Sequence, residues 1–464
     1  MHTDVDVLVI GAGISGLATA FGLVRQGASV EVLDATARAG GVIATIHRDG
    51  ALYEMGPNSA LDSTPLINEL LDALGIRSER IEASTVAATR FIVRGGKLVP
   101  LPKSPASLLM SQAFSFGAKL RLMREPFIAS APAGAEESIA AFVRRRLGNE
   151  FLDYAVDPFV SGVYAGDPER ISLPAAFPRL HALEQKYGSV FKSQFMGARE
   201  RRQNAEVAKH TTGSFSFREG MQTLTDALAR AIDHVTTNVR VQRLARADND
   251  AWTITGVRDG EIVVRRARAV ILAVPAYAAA KLMREPAPAT AQALAAIDYA
   301  AVASVATLYQ RPNVEHPLAG FGFLVSKKEQ RKILGSLFSS SMFEGRAPPD
   351  TVLLTSFVGG VRHPELFAKS DVDVAQLVQN ELQSLVGARA LPMWLAITRW
   401  THAIPQYNLG HRERLQPVED AERVLPGLFF CANYRGGVSI GDCIKSAHAT
   451  TDAATRFLGG LSYR

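Results

Sequence analysis

Cysteine is nearly absent: Cys431 and Cys443, twelve positions apart, are the only two in 464 residues. They form no CxxC pair and have no histidine at metal-ligand spacing, so neither a disulfide framework nor a cysteine-based metal site organises the chain. Two buried thiols in a reducing compartment are expected, and no metal. Apolar runs of about 18 residues, the length of a bilayer-crossing helix, are missing too. No basic block interleaved with aromatic residues occurs, which sets nucleic acid aside. Internal repeats are lacking, and low complexity is confined to alanine-rich helices at 276–300. Charge of one sign is also in short supply. The balance of 51 basic to 45 acidic residues leaves a net +6, an excess that scattered surface charge accounts for as well as an anionic substrate or membrane face does. MHTDVDV enters the first strand at once, so no signal or transit peptide is expected and the expected location is cytoplasmic.

What is present describes a folded protein. Hydrophobic residues make up 47% and charged residues 21%, and the length suits two domains sharing an interface. VDVLVIGAGISG at 5–16 is a buried-looking strand that ends in Gly11, Gly13 and Gly16. An amphipathic helix follows, then the alternating strand ASVEVLDA closed by Asp34, 23 residues beyond Gly11. Strand, glycine turn, helix and acid at this spacing form a dinucleotide fingerprint. Gly11 permits the tight turn, Gly13 lets backbone approach a pyrophosphate, and Gly16 lets helix pack on strand. The helix N-terminus, with Ala12, Ile14 and Ser15, offers free N–H groups to the phosphates, and Asp34 with Ala35 reaches a ribose.

After Asp34 comes DATARAGGVIAT, with Arg38 and the pair Gly40-Gly41. This spacing resembles the flavin-containing amine oxidase superfamily, in which it holds FAD. Within that resemblance Arg38 neutralises pyrophosphate, and Gly56, Pro57, Asn58 and Ser59 form a tight loop against the flavin ring. Val241, in TNVRVQRL, offers backbone to the adenine. Trp400 borders the flavin, and Val438, Ser439 and Ile440, at a helix N-terminus, face its pyrimidine end. The superfamily usually has Glu at the Asp34 position; Asp makes the same bond one methylene shorter. Neither cysteine suits a flavin thioether, so the FAD is expected to be noncovalent.

Five further words, DPFVSGVYAGDP (157–168), GSFSFREGMQTL (213–224), PLAGFGFLVSKKEQ (317–330), LGSLFSSSMFEGRAP (334–348) and TSFVGGVRHPEL (355–366), resemble one family in particular, the oxygen-dependent protoporphyrinogen oxidases. The match runs from Val7 to about Ala454. It implies an α/β (α+β) fold: a discontinuous Rossmann-like FAD-binding domain (1–83, 205–289 and 400–464), a helical membrane-contacting insertion (84–204) and a substrate-binding insertion (290–399) built on an antiparallel sheet with helices. It also implies oxidation of protoporphyrinogen IX in three two-electron steps, with dioxygen as acceptor and hydrogen peroxide as product. Coproporphyrinogen III on the same scaffold is the alternative substrate.

By the same resemblance Arg90 meets a substrate propionate, with Arg94 on the same strand face able to share the task. The Gly162 carbonyl approaches the pyrrole N–H groups, and Leu324, Leu337 and Phe357 clamp the tetrapyrrole. No catalytic acid, base or nucleophile is assigned, because the flavin N5 carries the chemistry; His402 and His411 are read as structural. Residues 103–127 mix Leu, Met and Phe with Lys and Arg. This segment either lies in a headgroup layer, as peripheral membrane contact, or packs its apolar face on the protein. A homodimer is left open.

Overall fold

The structure, a computed structural model, describes residues 3–132, 134–191, 213–246 and 251–461. Its first sheet has seven strands. Val5–Ile10 lies between Val30–Leu33 and Glu261–Leu272, parallel to both. The long strand Glu261–Leu272 pairs antiparallel with Trp252–Arg258 over its first part, and its end pairs parallel with Leu428–Phe430. Trp252–Arg258 in turn pairs with Arg240–Arg246, and Val235–Thr236 closes the far edge beside Val30–Leu33. Val7, Leu8 and Val9 are fully buried, as a central parallel strand covered on both faces requires. Helices Ile14–Arg25 and Ile440–Leu461 contribute to the core on one face. Ala276–Leu282, Pro288–Ala295 and His411–Val424 cover the other.

The second sheet runs in the order Trp394–Pro405, Tyr299–Gln310, Thr351–Gly359, Gly335–Leu337, Gly322–Val325, Arg90–Arg94, Lys97–Pro100. Here the structure differs from an antiparallel expectation, because Gly322–Val325 runs parallel to Arg90–Arg94. The hairpin at 90–100 thus shares a sheet with residues 299–405, and Trp394–Pro405 runs through position 400 unbroken. Hydrogen-bond pairing, hidden in a linear reading, draws these segments together. Successive side chains point to opposite faces. Val305, Phe323, Val325, Leu354 and Val358 bury one face against helix Asp371–Val386. The other face looks away from that helix.

Short helices between Pro105 and Tyr187 form a third layer around Phe142, Phe151, Tyr164 and Tyr407. A fully buried charge network ties it together. Arg146 pairs with Glu125 at 3.0 Å and donates from Nε to Glu184 at 2.6 Å. Removing one partner strands the others without water, a loss of about 3–5 kcal/mol.

Candidate functional site

The glycine turn at the end of Val5–Ile10 is built by packing. Gly11 has φ +107°, and a Cβ there would lie 2.5 Å from the Ala273 carbonyl oxygen. A Cβ on Gly16 would sit 1.9 Å from the carbonyl of Gly11, so helix and strand touch where only glycine fits. Gly13 differs: a Cβ built on it meets nothing within 4 Å. Beside this open space, at the N-terminus of helix Ile14–Arg25, lie the unsatisfied N–H groups that bind phosphate. The Asp34 carboxylate accepts from the Ala12 N–H at 2.6 Å and from the Thr36 N–H at 2.8 Å, which fixes the acid at the mouth of the turn, next to exposed Ala35. The residues fit a dinucleotide, and FAD in particular through the groups described next.

Arg38 donates to the carbonyls of Ala39, Gly41 and Ile43 at 2.7, 2.8 and 2.9 Å. Its guanidinium therefore braces the Gly40-Gly41 turn, a role that sequence reading did not give it. That turn rests on the first, with Gly40 N–H donating to the Ala12 carbonyl at 2.7 Å. Val239 N–H donates to the Asp34 carbonyl at 2.8 Å, which starts the strand bearing Val241 alongside the acid. The loop Gly56-Pro57-Asn58-Ser59 passes so near Val42 that a Cβ on Gly56 would fall 2.1 Å from its carbonyl oxygen. Asn58 donates back to Gly56 O at 3.2 Å, and the Trp400 indole N–H donates to Met55 O at 2.8 Å. Trp400 and the loop therefore form one wall.

Behind this loop Glu54 is buried. Its carboxylate accepts from Met221 N–H at 2.8 Å and from the Thr45 hydroxyl at 2.7 Å. Burial pushes its pKa from 4.5 to about 7, although these bonds and the Arg346 charge pull the other way.

The C-terminal glycine turn completes the cradle. Tyr407 donates to Asn433 O at 2.8 Å and accepts from Gly437 N–H at 2.9 Å. It also stacks on His411 at 4.2 Å, whose Nε2 lies 2.9 Å from Tyr434 O. The turn then delivers Val438, Ser439 and Ile440 to the start of helix Ile440–Leu461, where the Ser439 hydroxyl accepts from Asp442 N–H at 3.1 Å. Cys443 is buried in the first turn of that helix, and burial pushes its thiol up to about 12. His411 is buried within this packing, and His402 packs on Tyr277 at 4.4 Å. Tyr407 and Glu54 escaped sequence reading, since a lone tyrosine or glutamate carries no pattern.

The open face of the second sheet gathers the substrate-side residues. Leu324 pairs with Gly335 and Gly335 with Phe357, while Gly322 pairs with both Leu337 and Arg90. Directly paired residues share a face. Arg90, Leu324, Leu337 and Phe357 therefore line one surface, joined by Trp400 through the pairs Phe357–Ser304 and Val302–Trp400. The three apolar residues are half-buried and Arg90 is exposed. Helix Asp157–Tyr164 crosses this face. A Cβ on Gly162 would lie 2.7 Å from Leu324 Cδ2, and Gly162 occupies the last turn, where carbonyls lack intrahelical partners.

Among the described residues Arg90 makes no ion pair; its guanidinium lies 5.0 Å over the Phe321 ring. Arg94 shares the face but not the freedom. It pairs with Glu150 at 2.8 Å and lies 4.4 Å over Tyr154, so the expectation that it shares propionate binding is corrected. No group of three or more metal-ligating side chains occurs among the described residues.

The chain matches the model of the flavin containing amine oxidoreductases over residues 14–455. It is 35% identical to the mitochondrial protoporphyrinogen oxidase of Nicotiana tabacum, with 98% of this chain and 96% of that protein covered. Identity to the coproporphyrinogen III oxidase of Bacillus subtilis is 26%, over 97% and 98% of the two chains. A crystal structure from Exiguobacterium assigned to a protoporphyrinogen oxidase superposes with TM-score 0.82 at 23% identity, covering 98% of this chain and 99% of the other. A glycine cradle shaped for a dinucleotide, an apolar sheet face beside it and full-length similarity converge: the chain belongs to the flavin-containing amine oxidoreductase family, and within it to the family of the protoporphyrinogen oxidases.

Proposed function

We propose that this chain oxidises protoporphyrinogen IX to protoporphyrin IX, with three dioxygen molecules consumed and three hydrogen peroxide molecules formed. One observation carries the reading: the half-buried face of Leu324, Leu337 and Phe357, edged by Arg90, which makes no ion pair among the described residues, adjoins a cradle fitted to FAD. Bound FAD supplies the two-electron oxidation chemistry. The chain's own groups bind and orient the substrate. Leu324 and Leu337 bury the faces of the macrocycle and Phe357 stacks on it. Arg90 holds a propionate at the open edge, through a bond that is strong because it is charge-assisted. The Gly162 carbonyl accepts a pyrrole N–H, and Trp400 with the Gly56 loop excludes water from the side where substrate meets cofactor.

Substrate choice follows from what the walls bury. Two vinyl groups suit apolar walls, whereas burying an unpaired carboxylate costs several kcal/mol. With Arg94 already committed to Glu150, two extra propionates find no free partner in it. The higher identity to a protoporphyrinogen oxidase, 35% against 26% for the coproporphyrinogen III enzyme, supports the same choice. Steady-state oxidation of both porphyrinogens by purified protein tests it. We expect kcat/KM to favour protoporphyrinogen IX by about tenfold or more, roughly 1.4 kcal/mol. A preference for coproporphyrinogen III would move the chain to that activity.

The reading includes a peripheral membrane contact on the cytoplasmic face. Met110, Phe116, Met123 and Phe127 are 88, 80, 70 and 88% exposed within one basic segment, an apolar cluster suited to a headgroup layer. No helix of the described residues is long and apolar enough to cross a membrane. Assembly as a homodimer is part of the same proposal, and sedimentation in mild detergent tests it.

A further inference from the structure

Asp157 and Arg362 lie in the segments DPFVSGVYAGDP and TSFVGGVRHPEL, yet neither is among the residues of the cradle or of the open sheet face. They form a buried ion pair, 8 and 6% exposed. Arg362 also donates to the carbonyls of Asp157 at 3.0 Å and Val325 at 3.1 Å. The second oxygen of Asp157 accepts from Lys327 N–H at 2.8 Å. The pair thus joins the N-terminus of helix Asp157–Tyr164 to the end of the strand bearing Leu324.

The other end of the helix is held by the same turn. Gly359 and Gly360 adopt φ +102° and +70°, and a Cβ on Gly360 would lie 2.7 Å from Ala165 O. That close approach lets Val361 N–H reach the same oxygen at 2.9 Å. Residues 359–362 directly continue the strand bearing Phe357. One short turn therefore brackets both ends of the helix that carries Gly162.

The N-terminal end also leans on the third layer, where Leu152 and Tyr154 are buried, and Lys328 pairs with Asp153 at 3.0 Å. The preceding residues, Leu152–Val156, form a π-helical turn, a wider and less common winding than the α-helix. On one side a cavity of about 420 Å³ opens beside them, lined by Asn149, Leu152, Asp153, Asp157 and Lys327 among others, and there the Asp157–Arg362 pair and the Lys327 N–H supply the bridging contacts. Gly162 lies five residues on, about 7.5 Å along the helix axis. Any tilt at Asp157 therefore moves Gly162 against Leu324. A buried ion pair is a weak device for stability alone; here its bonds set a spacing.

We propose that Asp157 and Arg362 are positioning residues, which hold the Gly162 carbonyl at a fixed height above the Leu324–Phe357 wall and so orient the porphyrinogen toward the cofactor. This rests on the substrate reading above. The test uses holoenzyme carrying Asp157→Asn, Arg362→Lys and the double change Asp157→Asn/Arg362→Gln. Anaerobic mixing with protoporphyrinogen IX, or with coproporphyrinogen III, reads flavin bleaching; oxygen added to dithionite-reduced enzyme reads reoxidation. Each single change is expected to slow bleaching at saturating substrate about tenfold or more, with reoxidation within about twofold of wild type. The double variant should lose no more than the worse single one, because the pair is already broken. Amide exchange over residues 157–164 of the resting enzyme should rise in all three.

Unchanged bleaching, equal losses in both half-reactions, a multiplicative loss in the double variant, or variants recovered without flavin would each overturn the assignment. Wild-type enzyme bleached by neither porphyrinogen overturns the substrate reading and this one with it. Normal wild-type bleaching with unaffected variants overturns this one alone.

Discussion

Replacing Glu54 by Gln should change how stability depends on pH, and in a direction the structure fixes. The carboxyl is 3% exposed, and its pKa is raised from 4.5 to about 7, with desolvation the largest cause. A raised carboxyl pKa means that the folded state binds the proton more tightly than the unfolded chain does. The associated stability is fully present below about 4.5 and is lost as pH rises toward about 7, above which the loss is complete. With 1.36 kcal/mol per unit, the span amounts to about 3 kcal/mol. Gln reproduces the protonated form: its carbonyl accepts from Met221 N–H while its amide faces the Thr45 oxygen, now with no titrating group. Thermal unfolding of both holoenzymes, followed by flavin fluorescence from pH 4.5 to 8.5, checks this. The two curves should meet at the acid end, and Glu54→Gln should become the more stable by about 3 kcal/mol at pH 8. A constant offset across the range, or a gap that widens toward acid, would refute the reasoning. Because Glu54 directly precedes the loop from Met55 to Asn58, the same substitution should slow flavin loss at alkaline pH.

Arg90→Ala should lower kcat/KM by about 1.5–3 kcal/mol, the range for a charge-assisted hydrogen bond, with flavin content unchanged; Arg94→Ala should instead lower stability, and wild-type kinetics in Arg90→Ala would remove that residue from the site. Denaturation should release free FAD, and Gly13→Leu should yield apoprotein, because its side chain would fill the space that a Cβ now finds empty; flavin retained by the denatured chain would contradict the first half. Met110→Asp combined with Phe127→Asp should abolish sedimentation with anionic vesicles while leaving detergent activity intact, and unchanged sedimentation would show that the exposed cluster meets something else.

The flavin half was readable because its constraints are local. Gly11, Gly13, Gly16 and Asp34 sit within one strand–helix–strand unit, where each residue's reason depends on neighbours a few positions away. The substrate face was readable only through resemblance. Leu324, Leu337 and Phe357 would each pass for sheet core, and it is strand pairing across distant segments that turns them to one side. Arg94 shows the limit of alternation: period two gave its face correctly but could not reveal Glu150, 56 positions on. The parallel pairing of Arg90–Arg94 with Gly322–Val325 was hidden for the same reason, since register between remote strands leaves no local mark. Arg38 was singled out for a pyrophosphate, and its bonds to the carbonyls of its own turn were hidden because they depend on how that turn folds back.

The burial of Cys443 has a chemical consequence. An oxidase that forms hydrogen peroxide exposes its own cysteines to it, and a thiolate would be converted to sulfenic acid over many turnovers. Peroxide attacks the thiolate, not the thiol. Burial pushes the Cys443 thiol up to about 12, so it stays protonated at neutral pH. Cys431 is buried as well, and its pKa is also raised by desolvation. Both thiols are therefore kept in the form that peroxide attacks least.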